Sequence, residues 1–253
     1  MKIEEIKKQK NGKYKITFES GELLNTYDDV ILNNGLLFHK DVDSLLFNKL
    51  NEETKYYDVY NKTIKYIEKK LRSKKEVEIF LDKNQIEIND KKKIIDKLES
   101  INLINDKLFA NAYFQDRINL SSDGPYKIIN ELKKNNISDD IILSVEEKID
   151  NADIYEKLSK LVLKKIRSNR NKSNYMLKQK IIIDMINLGY EKSMIIDIIN
   201  ENIDNNNSVI QNEYKKLFNK LSKKYDDEEL NRMIKNKLIQ KGFSLEEINK
   251  IEK

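Results

Sequence analysis

Cysteine is absent from this chain of 253 residues, which removes disulfides, thiolate metal sites and thiol nucleophiles together. Histidine is nearly absent too. His39 stands alone, so it cannot supply the converging ligands of a zinc site, and no nucleophile-elbow glycines lie near it to build a Ser/His/Asp triad. Neither a G-x-x-x-x-G-K-[ST] phosphate loop nor a G-x-G-x-x-G fingerprint occurs, which leaves NTP hydrolysis and dinucleotide chemistry unsupported. No apolar stretch approaches the roughly 18 to 20 residues of a membrane span, and the N-terminus has no signal-peptide apolar region. A large charge of one sign is also missing: 48 Lys+Arg against 43 Asp+Glu leave +5, so any electrostatic role must come from local clustering. With so many acids, chance carboxylate pairs on helix faces are inevitable and carry no catalytic meaning. These absences lead us to expect a soluble, cytoplasmic, non-enzymatic monomer with no cofactor, no metal and no membrane contact.

What is present is a repeat. Leu81 and Ile86, Leu132 and Ile137, Met185 and Tyr190, and Leu238 and Phe243 each place an apolar residue five positions before another. Val77, Ile128, Ile181 and Ile234 lie four positions upstream of the first member. The anchors recur about every 51 to 53 residues, in the range of a helical repeat array. The fold class expected is mainly α: an elongated array of tandem three-helix repeats behind a small N-terminal β-rich cap. The predicted division is a cap over 1–52, then repeats over 53–104, 105–151, 152–204 and 205–253. Helices are predicted over 57–71, 74–83 and 90–101; 106–118, 125–135 and 138–149; 153–167, 174–188 and 192–203; and 209–225, 227–241 and 245–253. Four such units would reach roughly 60 to 80 Å, since packed helical layers lie about 10 Å apart.

Boundary residues agree with this register. Gly124-Pro125 puts the single proline at a first helical turn, where its missing N–H costs nothing. Ser138-Asp139-Asp140 and Ser244-Leu245-Glu246-Glu247 read as N-caps followed by acids, the latter as a capping box. Gly189, Gly242 and Asn136 occupy one slot at the end of a second helix, where a left-handed residue is needed, and Gln85 is the weakest match. In the third helices, Ile142 and Val145, Ile195 and Ile198, and Ile248 and Ile251 share one pattern. Repeat one matches it as Ile94-Ile95 and Leu98 only after an insertion at 87–90, expected to be a longer surface loop. In the cap, strands are expected around an Asn11-Gly12 type I′ hairpin turn, with Tyr14, Ile16 and Phe18 on one face and a third strand from Leu23-Leu24.

Basic residues gather where first helices meet second helices. Lys69, Lys70, Arg72, Lys74 and Lys75 do so in repeat one, and Arg117 and Lys127 in repeat two. Repeat three contributes Lys164, Lys165, Arg167, Arg170 and Lys172, and repeat four Lys215, Lys216, Lys220, Lys223 and Lys224. Regular stacking would join these into a discontinuous basic stripe suited to phosphates or an acidic protein groove. The same cations also complement the macrodipole at a first helix's end. Tyr56, Tyr57 and Tyr60 suit either base stacking or wedging between helices.

Asp106, Phe109, Ala110, Tyr113 and Arg117, followed by Gly124-Pro125, Ile128, Glu131-Leu132 and Ile137, resemble the central signature of the RecX family, regulators of the RecA recombinase. The segment 66–81, with Leu71, Arg72-Ser73 and Glu76-Val77, resembles that family's preceding unit. The hairpin and the segment 35–43 resemble the extension of Gram-positive members. The likeness covers nearly the whole chain and is most specific between about residues 60 and 145. It departs at Tyr126-Lys127, where members often carry more Arg, and at Asn136, where they often carry Gly. Membership implies a curved array of three-helix units lying in the groove of the RecA filament on single-stranded DNA, restraining filament growth, ATP hydrolysis and strand exchange. The basic junctions are then the expected contacts with RecA or DNA. The other reading of the same residues is a module that binds single-stranded nucleic acid directly, with no recombinase partner.

Overall fold

The computed structural model describes residues 1–169, 173–203 and 208–251. It begins with a three-stranded antiparallel sheet, β1 (Ile3–Lys8), β2 (Tyr14–Phe18) and β3 (Leu23–Thr26), in the order β1-β2-β3. Ile16 and Phe18 point into the core and Ile16 pairs with Leu24, as the alternation of β2 requires. The hairpin departs from the expected turn. Of Asn11 and Gly12 only Gly12 has positive φ (85°), whereas a type I′ turn needs it at both. Gln9 N–H instead donates to Lys13 O (2.8 Å), closing a three-residue loop, and the Asn11 side chain accepts from Lys13 N–H (3.0 Å).

A short helix α1 (Asp28–Asn33) leads into α2 (Ser44–Glu68), which starts well before the expected position 57. Asp43 caps it by accepting from Leu46 N–H at 2.7 Å. The early start has a physical reason: the first turns of α2 form the floor on which the cap rests. Phe47 meets Phe18 edge-on at 5.5 Å, the Thr54 and Thr26 hydroxyls bond at 2.6 Å, and Tyr27 donates to Asp58 at 2.7 Å. Sheet and first repeat therefore share one core, which runs from Ile16 and Phe18 through Leu50 and Tyr57 to Leu81 and Leu98. A sheet this small has little interior of its own and gains one by this docking.

The remaining helices come in threes. With α2 go α3 (Lys74–Lys83) and α4 (Ile88–Ser100); then α5 (Asp106–Leu120), α6 (Pro125–Lys134) and α7 (Asp139–Glu146); α8 (Asn151–Ser168), α9 (Asn174–Asn187) and α10 (Lys192–Asn202); and α11 (Ser208–Leu221), α12 (Asp227–Gln240) and α13 (Leu245–Asn249). The anchors Leu81, Leu132 and Leu238 are fully buried and Met185 is almost so, as are the upstream Val77, Ile128, Ile181 and Ile234. All four second helices end on a residue of positive φ: Gln85 (54°), Asn136 (56°), Gly189 (88°) and Gly242 (82°). The insertion at 87–90 is not a loop, because α4 begins at Ile88 and takes it up as an additional helical turn. Capping boxes close Ser73 with Glu76 and Ser244 with Glu247, while Ser138 stands at its N-cap without a side-chain bond. The chain divides into two compact units, Met1–Phe109 and Ala110–Lys253.

Candidate interaction surface

The basic junctions resolve into two kinds of cation. In repeat one, Lys69 and Lys70 follow α2 directly and are exposed, with no ion pair among the described residues. Arg72 is committed inward. It pairs with Glu76 at 3.2 Å and lies 4.2 Å over the Tyr66 ring, whose other neighbour is Phe80, stacked at 4.3 Å. Its Nε is buried without a hydrogen-bond partner among the described residues. Lys74 pairs with Glu99 at 2.9 Å, a bond that raises its pKa against the opposing pull of burial, and its N–H donates to Asp106 at 2.8 Å. Lys75 is half-buried.

Repeat two brings its two cations together on one acid. The Asp123 carboxylate is almost buried and receives Arg117 Nη2 and Lys127 Nζ, each at 2.7 Å. Arg117 also reaches Glu131 at 3.3 Å, and Glu131 accepts a very short bond from the Tyr113 hydroxyl. Burial works to raise the Asp123 pKa. The bonds from Lys127 and Ser121 and the charges of Arg117 and Lys127 outweigh it and hold the carboxyl below its ordinary value of 3.8. Burial and the bond to Glu131 push Tyr113 up to about 12. Lys157 of α8 completes the cluster by donating to the carbonyls of Ile118 and, at 3.0 Å, of Asp123. Its burial lowers its pKa. This network ties α5, α6 and α8 through one loop, so Arg117 and Lys127 serve first as internal fastenings.

In repeat three Lys165 pairs with Asp184 at 2.7 Å, whereas Lys164 and Arg167 are exposed and make no ion pair among the described residues. Arg170 and Lys172 lie outside the described residues. In repeat four Lys216 pairs with the buried Glu213 at 3.1 Å, and Lys241 bonds the same carboxylate. Lys215, Lys220, Lys223 and Lys224 are exposed without ion pairs among the described residues. Beside Lys215, Tyr214 and Phe218 stack at 6.3 Å, with Phe218 43% exposed. Tyr57 and Tyr60 are instead buried in the core of the first unit, under Lys97, which lies 4.5 Å from the Tyr60 ring. His39 is exposed, and no group of His, Asp and Glu able to hold a metal occurs among the described residues.

Sequence reasoning missed the acids that sort these cations: Asp123, Asp184 and Glu213. One signal was present, since Asp123 and Lys127 stand four apart across the N-terminus of a helix. Glu213 and Lys216, three apart on α11, carry a second; the pairs Arg117–Asp123, Lys165–Asp184 and Lys241–Glu213 join separate elements, and no spacing announces them.

Successive repeats interlock in the second unit at glycines. Gly124 N–H donates to Leu188 O at 2.6 Å and Tyr126 N–H to Gly189 O at 3.1 Å. A Cβ on Gly124 would sit 2.6 Å from Gly189 O, and one on Gly189 would sit 2.4 Å from Lys127 N. Repeat four repeats the arrangement on repeat three, where a Cβ on Gly242 would meet Met176 at 2.4 Å and Ser173 Oγ at 2.9 Å. In repeats three and four the end of the second helix thus seats on the start of the preceding second helix. Gly124 replaces the serine found at 73 and 173 because the backbone of Gly189 occupies the space a side chain would need.

Comparison with known proteins agrees with this architecture. Residues 105–144 match the model of the RecX second three-helix domain. The regulatory protein RecX of Streptococcus agalactiae serotype III is 31% identical over 260 residues, covering 98% of this chain and 97% of that protein. That of Oceanobacillus iheyensis is 26% identical, covering 96% and 93%. A crystal structure of regulatory protein RecX superposes with a TM-score of 0.69 at 22% identity over 79% of this chain and 98% of that one, a likeness of fold. The crystal structure of RecX from Lactobacillus salivarius gives 0.54 at 30% identity over 58% and 96%. With its helices in threes, its interlocked repeats and relatives that run its full length, the chain belongs to the RecX family of regulatory proteins.

Proposed function

We propose that this protein binds the RecA recombinase filament on single-stranded DNA and restrains its ATP hydrolysis, growth and strand exchange. The observation that carries the reading is the 31% identity to a regulatory protein RecX across 98% of the chain. In this reading the protein is a cytoplasmic monomer without catalytic activity or cofactor, and bridging of filament subunits is the means of restraint. The exposed cations Lys69, Lys70, Lys164, Arg167, Lys220, Lys223 and Lys224 make the outer contact. Arg72, Lys74, Arg117, Lys127 and Lys165, paired internally, hold the surface in shape. The test is ATP hydrolysis by RecA on single-stranded DNA as this protein is added. We expect progressive inhibition, and an unchanged rate at saturation would overturn the reading.

One observation favours direct binding to single strands as a second reading: the exposed Phe218, stacked on Tyr214 beside Lys215, is a surface on which a base can stack. Co-sedimentation separates the two. Equal retention on bare DNA and on RecA filaments, with the same steep salt dependence, would favour the second.

A further inference from the structure

A cavity of about 220 Å³ opens on the second unit where repeats two and three meet. Its apolar surfaces come from Ile129 of α6, Ile154 of α8 and Met194 of α10, and Tyr126, 54% exposed, forms one side. Two exposed carboxylates line it as well, Glu146 at the end of α7 and Glu191 at the N-cap of α10. Neither is in an ion pair among the described residues, among which the Glu191 carboxylate accepts only from Ser193 Oγ, at 2.6 Å. Of the lysines in the same segments, Lys127 is engaged on Asp123 and Lys148 on Asn111, both at 2.7 Å, while Lys192 is exposed and makes no ion pair among the described residues.

Glu146 also breaks a local rule. Helix α7 closes on Glu146 and Glu147 with no basic residue in its last turn, the wrong sign of charge for the negative end of a helix. A sequence that accepts such a mismatch at a cavity mouth leaves on Glu146 a negative charge that no ion pair among the described residues offsets.

We propose that this cavity receives an arginine side chain, flanked by an apolar residue, from a partner protein. The cavity has room for one long side chain and part of its neighbour. A guanidinium can stack on the exposed Tyr126 ring while its N–H groups reach Glu146 and Glu191, and the neighbouring apolar residue covers Met194 and the two isoleucines. Arginine in a small, mostly apolar pocket is a common energetic centre of protein interfaces. The carboxylates repel phosphate, which sets this site apart from the exposed lysines and excludes a nucleic-acid strand from it. Because Pro125 and Gly189 border the same cavity, an occupant would touch both sides of the joint between the repeats.

The inference does not rest on the recombinase reading, and its test uses no recombinase. The full chain, labelled at Ile and Met methyls, is titrated with acetyl-Leu-Arg-Leu-amide and separately with acetyl-Leu-Glu-Leu-amide. The arginine peptide is expected to shift the methyls of Ile129, Ile154 and Met194 saturably, and the glutamate peptide to leave them in place. Glu146→Gln with Glu191→Gln, both at exposed positions, should keep the spectrum of the fold and weaken binding roughly three- to tenfold, as for two partly exposed charge pairs. Equal response to both peptides, no response to either, or undiminished binding in the double variant would each overturn the proposal. Movement of these methyls by an oligothymidylate, or by raising the protein concentration alone, would assign the cavity to another occupant and overturn it too.

Discussion

Leu132 carries the repeat at the level of one side chain. It is fully buried, so Leu132→Ala should lower stability by about 2 to 5 kcal/mol, read as a fall in unfolding midpoint in urea. Gly189→Ala combines a φ of 88° with a Cβ placed 2.4 Å from Lys127 N, so it should cost more than the roughly 1 kcal/mol of the left-handed backbone alone. Asp123→Asn strips two cations of their common carboxylate and should cost about 1 to 3 kcal/mol at neutral pH. The folded Asp123 carboxyl lies below its ordinary 3.8, so its contribution is present above that value and is lost as pH falls through the folded one. The stability gap between wild type and Asp123→Asn should therefore close in acid, and a constant gap from pH 7 to pH 3 would show that the carboxylate's charge is irrelevant. At this scale the apolar anchors were legible because each repeats at a fixed distance. Asp123 was not, since its partners Arg117 and Lys157 stand on other helices and no periodicity links them.

Helix ends were the most readable elements. Pro125, Ser244 and the left-handed slot at 136, 189 and 242 act through the adjacent backbone, so local chemistry decides them. Two elements escaped for the opposite reason. The early start of α2 is stabilised by the sheet it supports, and the insertion at 87–90 joins α4, whose apolar face is satisfied by Ile94, Ile95 and Leu98 one turn later. The junctions show how far charge counting goes: it found the cations without telling fastened from free. Lys69, Lys70, Lys164, Arg167 and Lys220 changed together to Gln should leave the melting temperature nearly unchanged, as surface substitutions do, while weakening co-sedimentation with RecA filaments. Arg117→Gln with Lys127→Gln should do the reverse, lowering the melting temperature first. If both sets weaken filament binding equally without loss of stability, the division into fastened and free cations fails.

For the whole molecule, the repeat and the likeness to RecX were both legible, because an array writes its architecture into the sequence four times over. With a net charge of only +5, association with a nucleoprotein filament should depend on local cations and weaken with salt. If those cations meet phosphates, each one neutralised adds about 0.7 to the slope of log affinity against log salt for a single strand. The slope measured for the five-fold Gln variant should accordingly be shallower than that of the wild type, and identical slopes would place the contact elsewhere.

The glycine seats bear on how such a chain can be recombined with its relatives. Each seat is made by two halves that belong to neighbouring repeats, 124 with 189 and 173 with 242, so a cut between repeats separates backbone surfaces shaped for one another. Hybrids spliced within α8 would keep 173 and 242 together but would draw 124 and 189 from different parents. Such a graft is expected to tolerate serine from a donor at 173 but to reject any side chain at 124, so the interchangeable cassette is the joint and not the helix triplet.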